Sequence, residues 1–284
     1  MLSAFLPGDL TLRTGGNNER LVRMTKLVLT EIREQIGIVT LNSAAQRNTL
    51  SVDMRLEIAK ALREFNGDSA CRSIILAGSG GNFCAGGDLK SRLSNVDEPP
   101  EIRTPRLLSL LHDIIRLIAE GSKPVIAAVD GHATGAGLSL AAACDYIVAG
   151  PTARFCASYG RVGLVPDAGL LWSLPRRIGT IRARNMMLTA AAIDRETALR
   201  IGLADMAAPE GETLSTAFEI AHNYLRVAPL AAAHIKDILA ADTVSLEEAF
   251  EAELRIQPQL TGSAEYLEAR SAFAEKRQPR FIGR

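Results

Sequence analysis

An α/β fold with a largely parallel sheet is predicted by three short apolar runs that alternate with amphipathic segments. The runs are SIILAGSG (73–80), PVIAAVDG (124–131) and YIVAG (146–150). Each is too short for a buried helix, which reads as a strand covered on both faces. Between the first two lies 103–119, with the spacing of an amphipathic helix, and before the first lies another over 52–66. Strands that alternate with helices imply right-handed crossovers, and hence parallel pairing.

The remaining elements follow in order. Residues 26–42, KLVLTEIREQIGIVTLN, alternate apolar and polar positions and read as two strands turning at Arg33 to Gln35. Met54, Leu56, Ile58, Ala59, Leu62 and Phe65 mark the apolar side of the first helix. The run GAGLSLAAACD after the second buried strand reads as a helix, as do 181–190, 194–202 and 213–227. From about 230 the chain is helix-rich with little strand signal. Pro99, Pro100 and Pro105 predict a mobile, extended stretch within 91–112, of the kind lids are made from. Residues 1–24, with Gly15-Gly16-Asn17-Asn18, read as a flexible N-terminal extension.

Composition narrows the class of function. The 284 residues suffice for one large domain with a real core. Lysine plus arginine equals aspartate plus glutamate at 32 each, and there is no basic stripe, which argues against nucleic-acid binding. No stretch approaches the roughly 20 apolar residues of a membrane span. Cys71, Cys84, Cys144 and Cys156 form no CxxC pair and sit in apolar or small-residue runs, as buried free thiols do in a reducing cytoplasm. The histidines are scattered, so no metal cluster is expected.

Three segments carry candidate chemistry. FCAGGDL (83–89) follows a buried strand, and GHATGAG (131–137) joins a strand to a helix. Glycines let the backbone approach a ligand, and the first N–H groups of a helix lack internal partners. Each loop alone is either an ordinary connection, with Asp88 as a helix cap, or a set of donors for a negative oxygen. Two such loops at the carboxyl edge of one sheet would converge donors on one oxygen, which is an oxyanion hole. In RVGLVPDAG (161–169), Asp167 is either a turn or cap residue, or a carboxylate base beside apolar ligand surface.

These segments, in this order, resemble the enoyl-CoA hydratase/isomerase (crotonase) superfamily. The resemblance runs from about Val28 to Arg284 and includes Ile38 to Asn42, Arg47 to Ser51, both glycine loops, CDYIVAG (144–150) and the terminal FAEKRQPRF (273–281). It implies a spiral of repeated ββα units over 25–205 and a C-terminal helical trimerisation or lid region over 206–284, with trimers often paired into hexamers. It also implies an acyl-CoA thioester substrate and no metal or redox cofactor, coenzyme A entering as part of the substrate.

Carried over by position, the resemblance makes the N–H groups of Gly87 and Ala136 the oxyanion hole. Arg47, Thr49, Ala85, Asp88 and Leu89 would lie along the CoA moiety, and Gly135 would be a further substrate-binding residue. Lys276 or Arg277 would either reach CoA phosphates, across a subunit boundary, or end a solvated helix. His132 stands at the mouth of the second loop, as a structural neighbour of the pocket or as an acid–base group with an ordinary pKa of about 6.5. Asp145 reads as structural. Family hydratases hold water with two glutamates, whose positions here are Ser139 and Tyr159. Neither ionises near neutral pH in ordinary surroundings. Family isomerases place an aspartate where Asp167 stands. The Val165-Pro166-Asp167 segment, Trp172 and Leu174-Pro175-Arg176 are similar to the ring-epoxide isomerases of phenylacetyl-CoA breakdown.

The expected activity is therefore a double-bond shift, with Asp167 moving a proton and Ser139 and Tyr159 lining the acyl pocket. The alternatives are a hydratase or another CoA-thioester lyase or hydrolase on the same fold, and a non-catalytic CoA-binding or RNA-binding relative.

Overall fold

The computed structural model describes residues 26–88, 98–241 and 245–282. The N-terminal extension read over 1–24 lies outside them, as does Leu89. Strands β1 (Val28–Arg33) and β2 (Ile36–Leu41) pair antiparallel. Glu34 and Gln35 connect them with φ of 52° and 66°. Two consecutive left-handed residues match the right-handed twist of a tight hairpin. The strands β3 (Ser73–Gly78), β4 (Val125–Val129), β6 (Tyr146–Ala149) and β9 (Met206–Ala207) then add in parallel, giving the order β1-β2-β3-β4-β6-β9.

Alternation along the strands divides the core in two, because successive side chains point to opposite faces. Ile36, Ile38, Ile75, Ala77, Ile126 and Ala128 face one side, where Ala217 and Ala221 of a later helix, Thr213–Tyr224, cover them. Val39, Leu41, Ile74, Leu76, Ala127 and Val129 face the other. There they meet helix α1 (Val52–Gly67), whose Met54, Ile58, Leu62 and Phe65 are buried. Ser51 caps α1 by accepting from the Met54 N–H at 3.2 Å.

A second, smaller sheet was not visible as strands in the sequence. It comprises β5 (His132–Thr134), β7 (Arg154–Cys156) and β8 (Ile193–Asp194), with Cys84 bridged to Ala133 at its edge. The chain thus repeats a unit in which a long strand feeds a short one and then a helix. β4 leads to β5 and to α3 (Ala136–Ala143). β6 leads to β7, a 3-10 turn over Ser158–Val162, and α4 (Leu170–Ile178). This is the expected spiral of ββα units.

One local expectation is overturned. The proline-rich stretch is not extended where it is described: α2 runs from Pro100 to Ala119. Pro99 is its N-cap and Pro100 its first residue, where a missing N–H costs nothing because that group has no helical partner. Pro105 is exposed and forfeits one bond in the second turn. Burial of Leu111, Ile114, Ile115 and Ile118 on the opposite side holds the helix.

The remaining helices are α5 (Thr180–Thr189), α6 (Arg195–Ile201), α7 (Thr213–Tyr224), α8 (Pro229–Ala240), α9 (Leu246–Thr261) and α10 (Ala264–Ala274). β9 and α7 pack on the large sheet, so the first part of 206–284 belongs to the core layers. The later helices dock by buried polar contacts. Lys236 of α8 reaches Asp145 and donates to the Ile118 carbonyl at 3.0 Å. Arg72 donates to the carbonyls of Leu225, Val227 and Phe281. Asp145 also accepts from the Val125 N–H at 2.7 Å, which is the structural role expected of it. Among the described residues no helix is long and apolar enough to cross a membrane.

Candidate active site

The first glycine loop is held on both sides by backbone bonds. Cys84 donates to the His132 carbonyl at 2.7 Å, and Thr134 donates back to Cys84 at 3.0 Å. On the other side Ala85 donates to the Arg47 carbonyl at 2.9 Å and Leu50 donates to Gly86 at 2.8 Å. Buried Asn48 fixes this second strand of contact, donating to the carbonyls of Ser79 and Asn82. The loop that bears Gly87 is thus one rung between the Arg47–Leu50 segment and β5.

The second loop meets the first at its tip. Gly86 has φ of 97°, and a Cβ there would lie 2.6 Å from the Thr134 carbonyl oxygen and 3.5 Å from the Ala136 nitrogen. Gly135 is the N-cap of α3, and Ala136 is its first residue. A Cβ on Gly137 would lie 2.2 Å from the Cys84 carbonyl oxygen, a backbone atom that cannot move aside. The last glycine of the motif is therefore required by packing, while the middle position tolerates the Ala136 methyl. Among the described residues, neither the Gly87 N–H nor the Ala136 N–H donates to any acceptor. Both residues line one cavity of about 230 Å3. The N-terminus of α3 adds its partial positive charge there.

Asp167 lines the same cavity. It sits in a tight turn with Ala168 at φ 49° and Gly169 at φ 71°. The N-cap of α4 is Gly169, without a side-chain cap bond, so the Asp167 carboxylate does not cap that helix. It faces Tyr159 instead. The Tyr159 hydroxyl lies 2.8 Å from Asp167 Oδ1 and 2.9 Å from Ser139 Oγ. Ser139 Oγ also lies 3.0 Å from the Asp167 carbonyl oxygen. Burial, and then the neighbouring Asp167 charge, push the Tyr159 phenol well above its ordinary pKa. Tyr159 is therefore a neutral donor.

The other expected site residues fall in different places. Ala85 and Gly135 line the cavity. Arg47, Thr49 and Asp88 lie on the segments that frame it, Arg47 exposed and the other two half-buried. His132 is exposed at the start of β5, where its carbonyl serves the ladder, and it does not line the cavity. Lys276 is exposed just past α10, away from the cavity lining. The four thiols are buried and free. Burial raises Cys84 and Cys144 to about 12 and Cys71 to about 11.

Several lining residues were missed in the sequence. Arg55 is buried and donates to the carbonyls of Leu50 and Leu107 at 3.0 and 2.9 Å. Its signal was an arginine next to Met54 and three before Ile58, on the apolar side of α1. Leu111, Ser158, Arg161, Val162 and Leu164 are also in the wall. The last three flank Tyr159 and Asp167 in the chain but carry no motif of their own.

Two backbone donors and a carboxylate thus share one cavity of an α/β spiral. The family described as enoyl-CoA hydratase/isomerase matches residues 31–284, and the chain belongs to it. A probable enoyl-CoA hydratase of Rhodobacter capsulatus is 36% identical over 266 residues, covering 89% of this chain and 97% of that one. The 1,2-epoxyphenylacetyl-CoA isomerase of Escherichia coli is 30% identical over 262 residues, covering 92% and 100%. The crystal structure of an enoyl-CoA hydratase from Polaromonas sp. JS666 superposes with a TM-score of 0.84 at 34% identity, covering 89% and 99%. Relatives named for water addition and for isomerisation stand at similar distances, so the acid–base residues must decide between them.

Proposed function

We propose that this protein shifts a double bond in an unsaturated acyl-CoA through a thioester enolate, with Asp167 as the proton carrier. One observation carries the reading. The single carboxylate among the residues lining the cavity is Asp167, while the positions that would hold water are Ser139 and Tyr159, whose hydroxyls are engaged with each other and with Asp167. In this reading the CoA moiety runs along Arg47, Thr49 and Asp88, which frame the cavity, and past Ala85 at its wall.

The steps balance within the substrate. Asp167 takes a proton from C2 of a 3-enoyl thioester. The C2–H pair moves into the conjugated system, and negative charge grows on the thioester oxygen. The N–H groups of Gly87 and Ala136 hold that oxygen. The proton then passes from Asp167 to C4, and the double bond rests between C2 and C3. No metal or redox group is required, because no electrons leave the substrate. The test is to incubate 3-enoyl-CoA and 2-enoyl-CoA separately and separate the products by chromatography. The expected result is interconversion without hydroxyacyl-CoA. Accumulation of hydroxyacyl-CoA from the 2-enoyl ester would sink the reading in favour of water addition.

We propose also that copies of the chain assemble through the C-terminal helices. Leu246 and Leu254 of α9 are 61% and 78% exposed, and Phe273 of α10 is 88% exposed. Large apolar side chains left exposed on successive helices suit an association surface. Light scattering is expected to give a multiple of 30.4 kDa, three or six copies. A monomer at micromolar concentration would refute it.

A further inference from the structure

We infer that Tyr159 is a positioning residue that ties down Asp167 Oδ1 and leaves Oδ2 as the one oxygen that carries the proton between substrate carbons. This rests on the double-bond shift proposed above and adds to it how the carboxylate is aimed. The geometry is a chain of three groups, Ser139 Oγ to Tyr159 OH at 2.9 Å and Tyr159 OH to Asp167 Oδ1 at 2.8 Å. Among the described residues, Oδ1 has Tyr159 as its donor and Oδ2 has none.

Each hydroxyl owns one proton, and this fixes the direction of the chain. An ionised Asp167 only accepts, so Tyr159 must spend its proton on Oδ1. The Tyr159 oxygen then accepts, and Ser139 donates to it. Ser139 has no second proton for the Asp167 carbonyl oxygen, 3.0 Å away, or for the Gly135 carbonyl oxygen, 3.4 Å away. When Oδ2 takes the C2 proton, the carboxyl becomes neutral and Oδ1 becomes a weaker acceptor. Ser139 is then free to turn towards the Asp167 carbonyl. When Oδ2 gives the proton to C4, the chain returns to its first state. The C2–H bond breaks as the Oδ2–H bond forms, and the Oδ2–H bond breaks as the C4–H bond forms.

The bond to Tyr159 opposes any rotation that would turn the loaded oxygen towards water. Burial of Tyr159 and Ser139, at 6% and 0% exposure, closes that side of the carboxyl to solvent. Asp167 itself is half-buried and lines the cavity, where a bound acyl chain would cover it, so that most of the proton removed from C2 returns to C4 of the same molecule.

The experiment uses 3-enoyl-CoA carrying two deuterons at C2, turned over in ordinary water, with deuterium at C4 of the product read by NMR and mass spectrometry. In wild type, most turnovers carry deuterium to C4. In Tyr159→Phe, which keeps the ring and loses the hydroxyl, most of that deuterium is lost to water. Its kcat falls about 10- to 100-fold, as for a lost bond to a charged group, with KM within about twofold. Ser139→Ala keeps the Tyr159–Asp167 contact and loses less label than Tyr159→Phe. Unchanged label transfer and kcat in Tyr159→Phe would overturn the inference, as would a larger loss in Ser139→Ala. If wild type shifts no double bond, the proposed function has failed, and Tyr159 is then read by exchange of the C2 protons of butyryl-CoA in deuterated water. Slower exchange in Tyr159→Phe than in wild type supports the positioning role. Equal exchange, or none in wild type, removes it.

Discussion

Replacing Asp167 with asparagine is expected to lower kcat for the double-bond shift by about 10^3-fold, within the range that a positioned acid–base group supplies. The amide keeps the shape of the side chain, and its oxygen still accepts from the Tyr159 hydroxyl, 2.8 Å from Oδ1 in the native protein. What it loses is the ability to take a proton from carbon. Asp167 forms no ion pair among the described residues, so the change does not strand a buried charge. The fold and the affinity for a saturated acyl-CoA are therefore expected to stay within about twofold of wild type, since the residues proposed to contact CoA lie elsewhere in the chain. Single-turnover kinetics and calorimetric titration check the two halves separately. A variant that isomerises at the native rate would show that another group moves the proton. A variant that loses binding and rate together would show that Asp167 serves the pocket rather than the reaction.

How much of this site was legible in the sequence depended on what kind of signal each part leaves. β3, β4 and β6 were read correctly because runs of four or five apolar residues marked off by Gly or Pro have few other uses. The glycine loops were legible because a backbone approach needs missing side chains, as Gly137 against Cys84 illustrates. The short strands β5, β7 and β8 were not, because two or three residues cannot display an alternation. The prolines of α2 misled in the opposite direction. Proline forbids a preceding turn of helix, yet at Pro100 it starts one. Asp167 was legible as either a turn residue or a base, and only the placement of Tyr159 shows where its carboxylate points. The cavity wall at Arg161 to Leu164 left no signal, since its residues are set by the shape of a ligand absent from the chain's own pattern.

Ala136→Pro is expected to cost about 3–4 kcal/mol of transition-state stabilisation, or about 10^2- to 10^3-fold in kcat, while leaving α3 intact. Ala136 is the first residue of α3, and proline is well suited to that position because its N–H would have no helical partner. The bonds that organise the helix start later, with Ser139 donating to the Gly135 carbonyl at 3.1 Å, and they survive the change. Gly135 already has φ 53° and ψ −123°, outside the α region that a following proline disfavours. The substitution therefore deletes one donor facing the cavity. Two comparisons separate the donor from the space it occupies. Ala136→Gly removes the methyl and keeps the N–H, so its rate is expected within about threefold of wild type if the donor is what matters. Binding of a saturated acyl-CoA reports whether the proline ring blocks entry. If Ala136→Pro binds normally and turns over slowly, the N–H holds the growing charge on the thioester oxygen. If it turns over at the native rate, the oxygen is held elsewhere, and Gly87 alone cannot account for a two-donor hole. Asp167→Asn and Ala136→Pro should then differ in one further respect. Loss of the base slows exchange of the C2 protons by about 10^3-fold, as it slows the shift, whereas loss of one donor slows it less, because Gly87 still offers its N–H to the enolate.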